Sequence, residues 1–271
     1  MESTRVQRWK EAQSGEKSYW QQVVVDPCEL LRITHEKVVA LRWAKQKVDA
    51  LCQTEGAWVE IGIGPLGIGC IHFLPEAIQG DRRLIGIDPL PKMMVDRAAM
   101  PRPVQELADA CRTDGYQHVV GRAEEIMLAS ESAALVVCYN VLDHTHSPRK
   151  VVREIERILR PGGYLLMGCD VLSVAALIKH RLRVALAAMF RHPLTSIGDV
   201  AHPHRIQAKG LQDLLITSGF EILATNARPY ERIRRAWSHA YRMLIVTRKS
   251  TNAGRVNDNW EEGKPKTGVR G

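Results

Sequence analysis

Hydrophobic positions along the chain change their spacing near residue 55. Before it, apolar side chains recur every three to four residues, as on one face of a helix, and Pro27 divides the region into two helical segments. The clearest series is Val38, Leu41, Val48 and Leu51. After it, short apolar runs alternate with amphipathic segments, which predicts strands and helices in turn.

Seven short apolar runs predict the strands of one sheet. They lie at 57–61, 83–87, 118–120, 134–139, 164–168, 220–223 and 241–247. The segments between them predict helices at 65–73, 91–112, 148–159 and 209–218. Because strands and helices alternate with short turns, we expect an α/β fold with a doubly wound, mainly parallel sheet.

The regular alternation stops after Asp170. The segment from Val171 to Arg191 predicts one amphipathic helix. Its apolar stripe comprises Ile178, Leu182, Leu186 and Met189, and the basic residues off that stripe are Lys179, Arg181 and Arg183. We therefore expect a helical extension at 1–54, an α/β domain at 55–249 with a helical insertion at 171–200, and a disordered tail at 250–271.

The composition is that of a globular protein. Of 271 residues, 45% are hydrophobic and 25% are charged, which excludes collagen-like and wholly disordered chains. No apolar run reaches the roughly 18 residues of a membrane span, and residues 1–10 lack the apolar core of a secretory signal. The six cysteines form no CxxC pair, so we expect a reduced, cytoplasmic compartment.

The formal net charge of +8 is unevenly distributed. Residues 1–170 carry 21 basic and 23 acidic side chains, whereas residues 171–249 carry 13 and 4. The second part can therefore face an anionic substrate, a nucleic acid or a membrane surface. A solvated helix face remains the alternative.

A glycine-rich turn follows the first predicted strand. Gly62 and Gly64 let the backbone turn sharply and approach a ligand closely at the carboxyl end of that strand. The second strand is followed by Asp88, 26 residues after Gly62, and a carboxylate there can accept both hydroxyls of a ribose. The alternative is a tight turn and a helix-capping aspartate without a ligand.

With these residues the chain resembles the class I S-adenosylmethionine-dependent methyltransferases, over residues 57–170 well and over 205–248 more loosely. Glu60 to Gly64 matches the family's acidic residue and its GxGxG turn, although Leu66 stands where the third glycine is usual. The resemblance implies a Rossmann-like fold with S-adenosyl-L-methionine as cofactor. It assigns cofactor binding to Glu60, Gly62, Gly64, Asp88, Pro89, Ala123, Glu124 and Asn140.

Some of these assignments depart from the family pattern. Arg122 occupies the place of an aspartate that often accepts from the adenine amino group, so Ala123 would give its N–H and Glu124 its carboxylate. The alternative for Glu124 is a solvated charge. Residues 139–144 and 160–163 resemble the methyltransferase-11-type subgroup, whose members mostly act on small molecules or lipids.

Candidate catalytic residues follow the fourth strand. His144 and Asp143 are candidates for a general base, because a histidine can take a proton near neutral pH. Alternatively, both only order the turn before Pro148. We predict no metal site. The insertion is interpreted as a lid over an apolar acceptor or as a packing helix, and Trp9, Tyr19 and Trp20 either close the cofactor site or belong to the core.

The sequence favours methyl transfer by in-line displacement to a small-molecule or lipid-like acceptor. We further expect that the acceptor carries an anionic group or that the protein contacts a membrane surface. One alternative is an RNA methyltransferase that uses the basic second half of the chain. The other is a catalytically inactive protein that still binds the cofactor.

Overall fold

The computed structural model describes residues 2–23, 26–52, 55–67, 69–73, 83–91, 102, 106, 116–172, 178, 182, 185, 186, 189, 204, 206–226 and 241–251. Two helices come first, α1 (Glu2–Val23) and α2 (Pro27–Lys47), followed by a short 3₁₀ turn. Asp26 caps α2, since its Oδ1 accepts from the backbone N–H groups of Cys28 and Glu29. The predicted division at Pro27 is confirmed.

Seven strands form one sheet, in the order β3-β2-β1-β4-β5-β7-β6. They are β1 (Ala57–Ile61), β2 (Leu84–Asp88), β3 (Tyr116–Val120), β4 (Ala133–Tyr139), β5 (Leu159–Val171), β6 (Phe220–Thr225) and β7 (Tyr241–Lys249). The first five are parallel, and β7 runs antiparallel to both β5 and β6. The expected α/β fold with a mainly parallel, seven-stranded sheet is confirmed.

Helices cover both faces of this sheet. On one face lie α3 (Pro148–Ile158) and α4 (Ala208–Thr217), and on the other lies α2. Because side chains alternate along a strand, Val59 and Ile61 pack on the α3 side while Trp58 packs on the α2 side. A strand covered on both faces can be apolar throughout, and β4 is buried along its whole length.

The predicted helix at 65–73 is wrong apart from a 3₁₀ turn at Cys70–Phe73. The N–H of Gly67 donates to the carbonyl of Gly64, 3.0 Å away, and both glycines have positive φ, so the chain turns here instead of winding a helix. Of the predicted helix at 91–112, Arg102 and Glu106 are described and helical, and most of the rest lies outside the described residues. The predicted tail lies outside them beyond residue 251.

Among the described helices, none has the length and apolar character needed to cross a bilayer.

Candidate active site

A cavity of about 520 Å³ opens at the carboxyl ends of the parallel strands. In the sheet, β2 lies on one side of β1 and β4 on the other, so the strand order changes direction at β1. Open α/β sheets bind their ligands at the carboxyl ends of the strands where this happens. The volume lies within the range of small-molecule sites. The lining comes from the ends of β1, β2, β4 and β5, from the start of β7, and from α1 and α2.

The glycine turn borders this cavity with its backbone. Gly62 has φ +72° and Gly64 has φ +85°. A Cβ on Gly62 would overlap Cγ2 of Val141, and one on Gly64 would lie 2.9 Å from Cζ2 of Trp20. Glycine is therefore required at both positions for backbone conformation and for space.

Asp88 ties the glycine turn to the end of β2. Its Oδ2 accepts from the N–H of Gly64 at 2.8 Å, and its Oδ1 accepts from the N–H of Leu90 at 2.9 Å. Each carboxylate oxygen has a second lone pair, which can accept a hydroxyl from the cavity. Burial raises the pKa of Asp88. The structure thus brings Asp88 and Pro89 to the cavity lining beside Gly62 and Gly64.

The turn after β3 lines the same cavity. Ala123 is buried there, and Oε1 of Glu124 accepts from the N–H groups of His146 and Ser147 at 2.6 and 3.1 Å. Glu124 is therefore not the solvated charge of the alternative interpretation, because it joins this turn to the one before α3. The guanidinium of Arg122 lies over the ring of Trp9, with Cζ 4.6 Å from its centroid.

The turn after β4 places Asn140 and His144 at the cavity. Asn140 has φ +58°, a conformation that asparagine tolerates better than most residues, and its buried Oδ1 has no hydrogen-bond partner among the described residues. Nδ1 of His144 lies 3.0 Å from Oε1 of Glu16. Asp143 is only 3% exposed and does not line the cavity. Its Oδ1 lies 3.9 Å from Nε2 of His144, so the two candidate bases are neighbours in the 3₁₀ turn, and a catalytic role of Asp143 stays a prediction.

Glu60 lies behind the glycine turn and not at the cavity. It alternates with Val59 and Ile61, so its side chain points to the α2 side of the sheet. Its Oε2 accepts from the N–H of Ile71 at 3.0 Å, and its Oε1 lies 3.7 Å from Nζ of Lys37. Its carboxylate thus joins the 3₁₀ turn at Cys70–Phe73 to Lys37 of α2, and direct cofactor contact by Glu60 stays a prediction.

Helix α1 forms one wall of the cavity. The sequence alone did not decide whether its aromatic residues belong to the core or to the site. Trp9, Gln13, Glu16 and Trp20 follow each other at three- to four-residue spacing and all line the cavity, as does Tyr19. The hydroxyl of Tyr19 donates to Oε1 of Glu29 at 3.0 Å. A mixture of aromatic and polar side chains on one helix face was the available signal for this role.

Three further residues that the sequence did not single out line the cavity at the ends of β4 and β5 and at the start of β7. Nε and Nη2 of Arg242 lie 2.6 and 3.0 Å from the two carboxylate oxygens of Asp170, a bidentate pair. Cζ of Arg242 also lies 4.8 Å from the ring centroid of Tyr139. Burial raises the pKa of Tyr139 to about 12, so its hydroxyl stays protonated at neutral pH and can donate.

The apolar stripe of the predicted lid does not cover this cavity. Its described side chains are between 50% and 67% exposed, and none of them lines the cavity. Of the described residues in the basic region 171–249, Arg242 alone lines it, and its charge is paired with Asp170. The lining is therefore not a strongly basic surface.

No group of three or more histidine, cysteine or carboxylate side chains within the described residues could hold a metal ion. His204, which follows the insertion, instead contacts the turn after β4: its Nε2 lies 2.8 Å from the carbonyl oxygen of Thr145.

Comparison with known proteins agrees with this fold. Residues 59–167 match the family described as methyltransferase domain. Over 101 residues the chain is 31% identical to an uncharacterized methyltransferase of Mycobacterium bovis, an alignment that covers 37% of this chain and 36% of that protein. The chain thus spans about a third of the length of this curated relative.

Solved structures share the architecture at low sequence identity. The YcgJ protein of Bacillus subtilis is 15% identical with a TM-score of 0.52, over 78% of this chain and 98% of that one. Geranyl diphosphate C-methyltransferase of Streptomyces coelicolor, solved with S-adenosyl-L-homocysteine, is 9% identical with a TM-score of 0.50, over 77% and 78%. The chain thus shares its fold with these solved structures, and its residues 59–167 are similar to the family described as methyltransferase domain.

Proposed function

We propose that this protein is an S-adenosylmethionine-dependent methyltransferase that acts on a small-molecule or lipid-like acceptor. One observation carries the proposal: the carboxylate of Asp88 at the end of β2 holds the glycine turn at the end of β1, and both border one cavity. A buried carboxylate beside a glycine backbone that borders the cavity is suited to a nucleoside whose hydroxyls need acceptors.

The residues present fit this cofactor. We assign the ribose to Asp88, the adenine to Pro89, Ala123 and Glu124, and the amino-acid end to the backbone at Gly62 and Gly64. Asn140 supports this assignment, since its buried Oδ1 has no partner among the described residues and adjoins the cavity. Bound there, S-adenosylmethionine supplies a methyl group on a positively charged sulfur, an already activated electrophile.

The charge of the lining suits a cationic ligand. Carboxylates slightly outnumber the lysine and arginine cations among the described lining residues. The carboxylates are Glu16, Glu36, Asp88, Glu124 and Asp170, and the cations are Arg32, Lys37, Arg122 and Arg242. This balance gives the RNA-methyltransferase alternative no support at the cavity, because a phosphate backbone is attracted to a cationic surface.

The chain's own residues orient the acceptor and accept its proton. His144, held by Glu16, is the general base for an acceptor that must lose a proton. Tyr139 donates from its protonated hydroxyl, and Arg242 is held rigidly by Asp170, so both can fix a polar group of the acceptor for in-line attack. Trp9 and Trp20 of α1 exclude water from this side of the cavity.

Free thiols at Cys28, Cys70, Cys138 and Cys169 support the proposal of a reducing, cytoplasmic location.

Calorimetric titration of the full chain tests the proposal. We expect saturable one-site binding of S-adenosylmethionine and S-adenosylhomocysteine, and none of NAD⁺, which related glycine turns bind. Absence of binding for both S-adenosyl compounds would reject the proposal. Binding without methyl transfer to any acceptor of a cell extract would favour the inactive alternative.

A further inference from the structure

Five described residues of the segment after β5 expose apolar side chains to solvent. Its described residues Ile178, Leu182, Ala185, Leu186 and Met189 are helical, and all are exposed; we call them the 178–189 stripe. Ile178, Leu182, Leu186 and Met189 follow each other at three to four residues, which places them on one helix face together with Ala185. Ile178, Leu182, Leu186 and Met189 are 54, 59, 50 and 67% exposed. A contiguous exposed face of large apolar side chains marks an interaction surface.

The charge of the surrounding sequence identifies the kind of partner. Between residues 171 and 198 the chain has no Asp or Glu, but it carries Lys179, Arg181, Arg183 and Arg191. An apolar helix face in a segment with only basic charges is the composition of helices that lie in the interface of an anionic bilayer. The cytoplasmic leaflet carries such a negative surface potential.

We propose that the 178–189 stripe docks this protein peripherally on an anionic lipid bilayer. The apolar side chains enter the boundary between headgroups and acyl chains, and the basic residues of the same segment meet the lipid phosphates. Pairing of the stripe with a second copy would bring two segments without carboxylates together, and their like charges would repel. An RNA would satisfy the charges but leave the apolar side chains unburied.

The position of the stripe in the chain connects docking with the cavity. Asp170 lines the cavity, and Ile178 follows it eight residues later. Even a fully extended chain of that length spans less than about 30 Å, so docking would hold the cavity close to the headgroups. Membrane docking does not rest on the proposed methyl transfer. If both proposals hold, the acceptor is one that is presented at a membrane surface.

Co-sedimentation of the full chain with vesicles tests this inference. One set contains phosphatidylcholine alone, and the other contains phosphatidylcholine and phosphatidylglycerol in equal parts. We expect binding to the anionic vesicles to be about a hundredfold stronger, from about three basic side chains near the surface, and to weaken as salt is added. The double variant Leu182→Glu/Leu186→Glu should reduce binding to anionic vesicles about tenfold or more.

The matched control is Met127→Glu/Ile216→Glu, which adds the same charge at two exposed apolar residues outside the stripe. It should keep most of the binding, and circular dichroism should show that both variants fold. No binding to anionic vesicles, equal binding to both vesicle types, or equal loss in both variants would overturn the proposal. The proposal would also be overturned if light scattering showed an oligomer for the wild type and a monomer for the Leu182→Glu/Leu186→Glu variant. Titration with S-adenosylhomocysteine tests the cavity separately, so the two proposals can fail independently.

Discussion

Oε1 of Glu16 lies 3.0 Å from Nδ1 of His144, and both side chains line the cavity. A carboxylate only accepts hydrogen bonds, so Nδ1 of His144 is the donor and Nε2 is the nitrogen that can take a proton. Helix α1 therefore fixes the ring that we propose as general base. Glu16 is a positioning residue, since it acts through His144.

Substitutions in the Glu16–His144 pair should lower the rate of methyl transfer without lowering cofactor affinity. His144→Ala should reduce methyl transfer to the acceptors of a cell extract by about a hundredfold to ten-thousandfold, the usual contribution of a general base. Glu16→Gln should reduce it by about tenfold, because the ring keeps its base but loses a charged partner. Affinity for S-adenosylhomocysteine should change little in either variant. His146→Ala, beside the cavity but not in its lining, is the control. Unchanged transfer in His144→Ala would leave this residue a purely structural role.

Asp88 should control cofactor affinity. Asp88→Ala removes the acceptor for the N–H groups of Gly64 and Leu90 and the carboxylate that we assign to the ribose. At about 1.5–3 kcal/mol for a hydrogen bond to a charged group, we expect a loss of about ten- to a hundredfold in affinity for S-adenosylhomocysteine. Asp213→Ala, on the exposed side of α4, should bind like the wild type. Equal affinities for the two variants would contradict the ribose assignment.

Gly62 should tolerate no side chain. Gly62→Ala places a Cβ against Val141 at a φ of +72°, so we expect weaker cofactor binding and a lower melting temperature. The double variant Gly62→Ala/Val141→Ala relieves the overlap and should recover part of the loss, but not the backbone strain of roughly 1–2 kcal/mol. Gly210→Ala in α4 has open space around it and should raise stability by roughly 0.5–1 kcal/mol. Similar losses in Gly62→Ala and Gly210→Ala would rule out this local explanation.

The parts of the site that the sequence predicted depend on local spacing. Gly62, Gly64 and Asp88 follow the ends of buried strands, and parallel strands bring those ends to one edge of the sheet. Asn140 directly follows β4 at the same edge, and its assignment to the cofactor came from the family resemblance. These residues needed no knowledge of contacts distant in sequence.

What the sequence did not predict depends on side-chain direction and on distant contacts. Glu60 lies in β1 between Val59 and Ile61, and side chains alternate between the two faces along a strand. Its carboxylate therefore points toward α2, but the sequence alone does not show which helix covers which face of the sheet. Glu16 meets His144 only because α1 packs over the turn after β4. No local pattern contains that contact.

Lys37 and Glu60 form a buried ion pair beneath the glycine turn, with side chains 7% and 1% exposed. Lys37→Met leaves the Glu60 carboxylate without its cation in a buried place, and we expect a loss of about 3–5 kcal/mol in the free energy of unfolding in urea. Adding Glu60→Gln removes the charge but keeps an acceptor for the N–H of Ile71, so the double variant should regain about half of that loss or more. Strictly additive effects of the two substitutions would refute the coupling.

Glu154 should make stability depend on pH. Hydrogen bonds from Arg157, 2.8 and 2.9 Å long, lower the pKa of Glu154, and Arg157 also donates to the carbonyls of Ile126 and Leu128. Because the folded pKa lies below the unfolded value of about 4.3, the stabilisation is complete above that pH and disappears as the pH falls through the folded pKa. Glu154→Gln should therefore lower stability at neutral pH by roughly 1 kcal/mol, allowing for partial exposure, and by progressively less toward about pH 3. Glu125→Gln, exposed in the adjacent turn, should show no such trend. Thermal unfolding of the wild type and the two variants between about pH 3 and neutral pH measures these differences in stability. If the wild type and Glu154→Gln differed in stability by the same amount at every pH, the hydrogen-bonded charge of Glu154 would not contribute to stability.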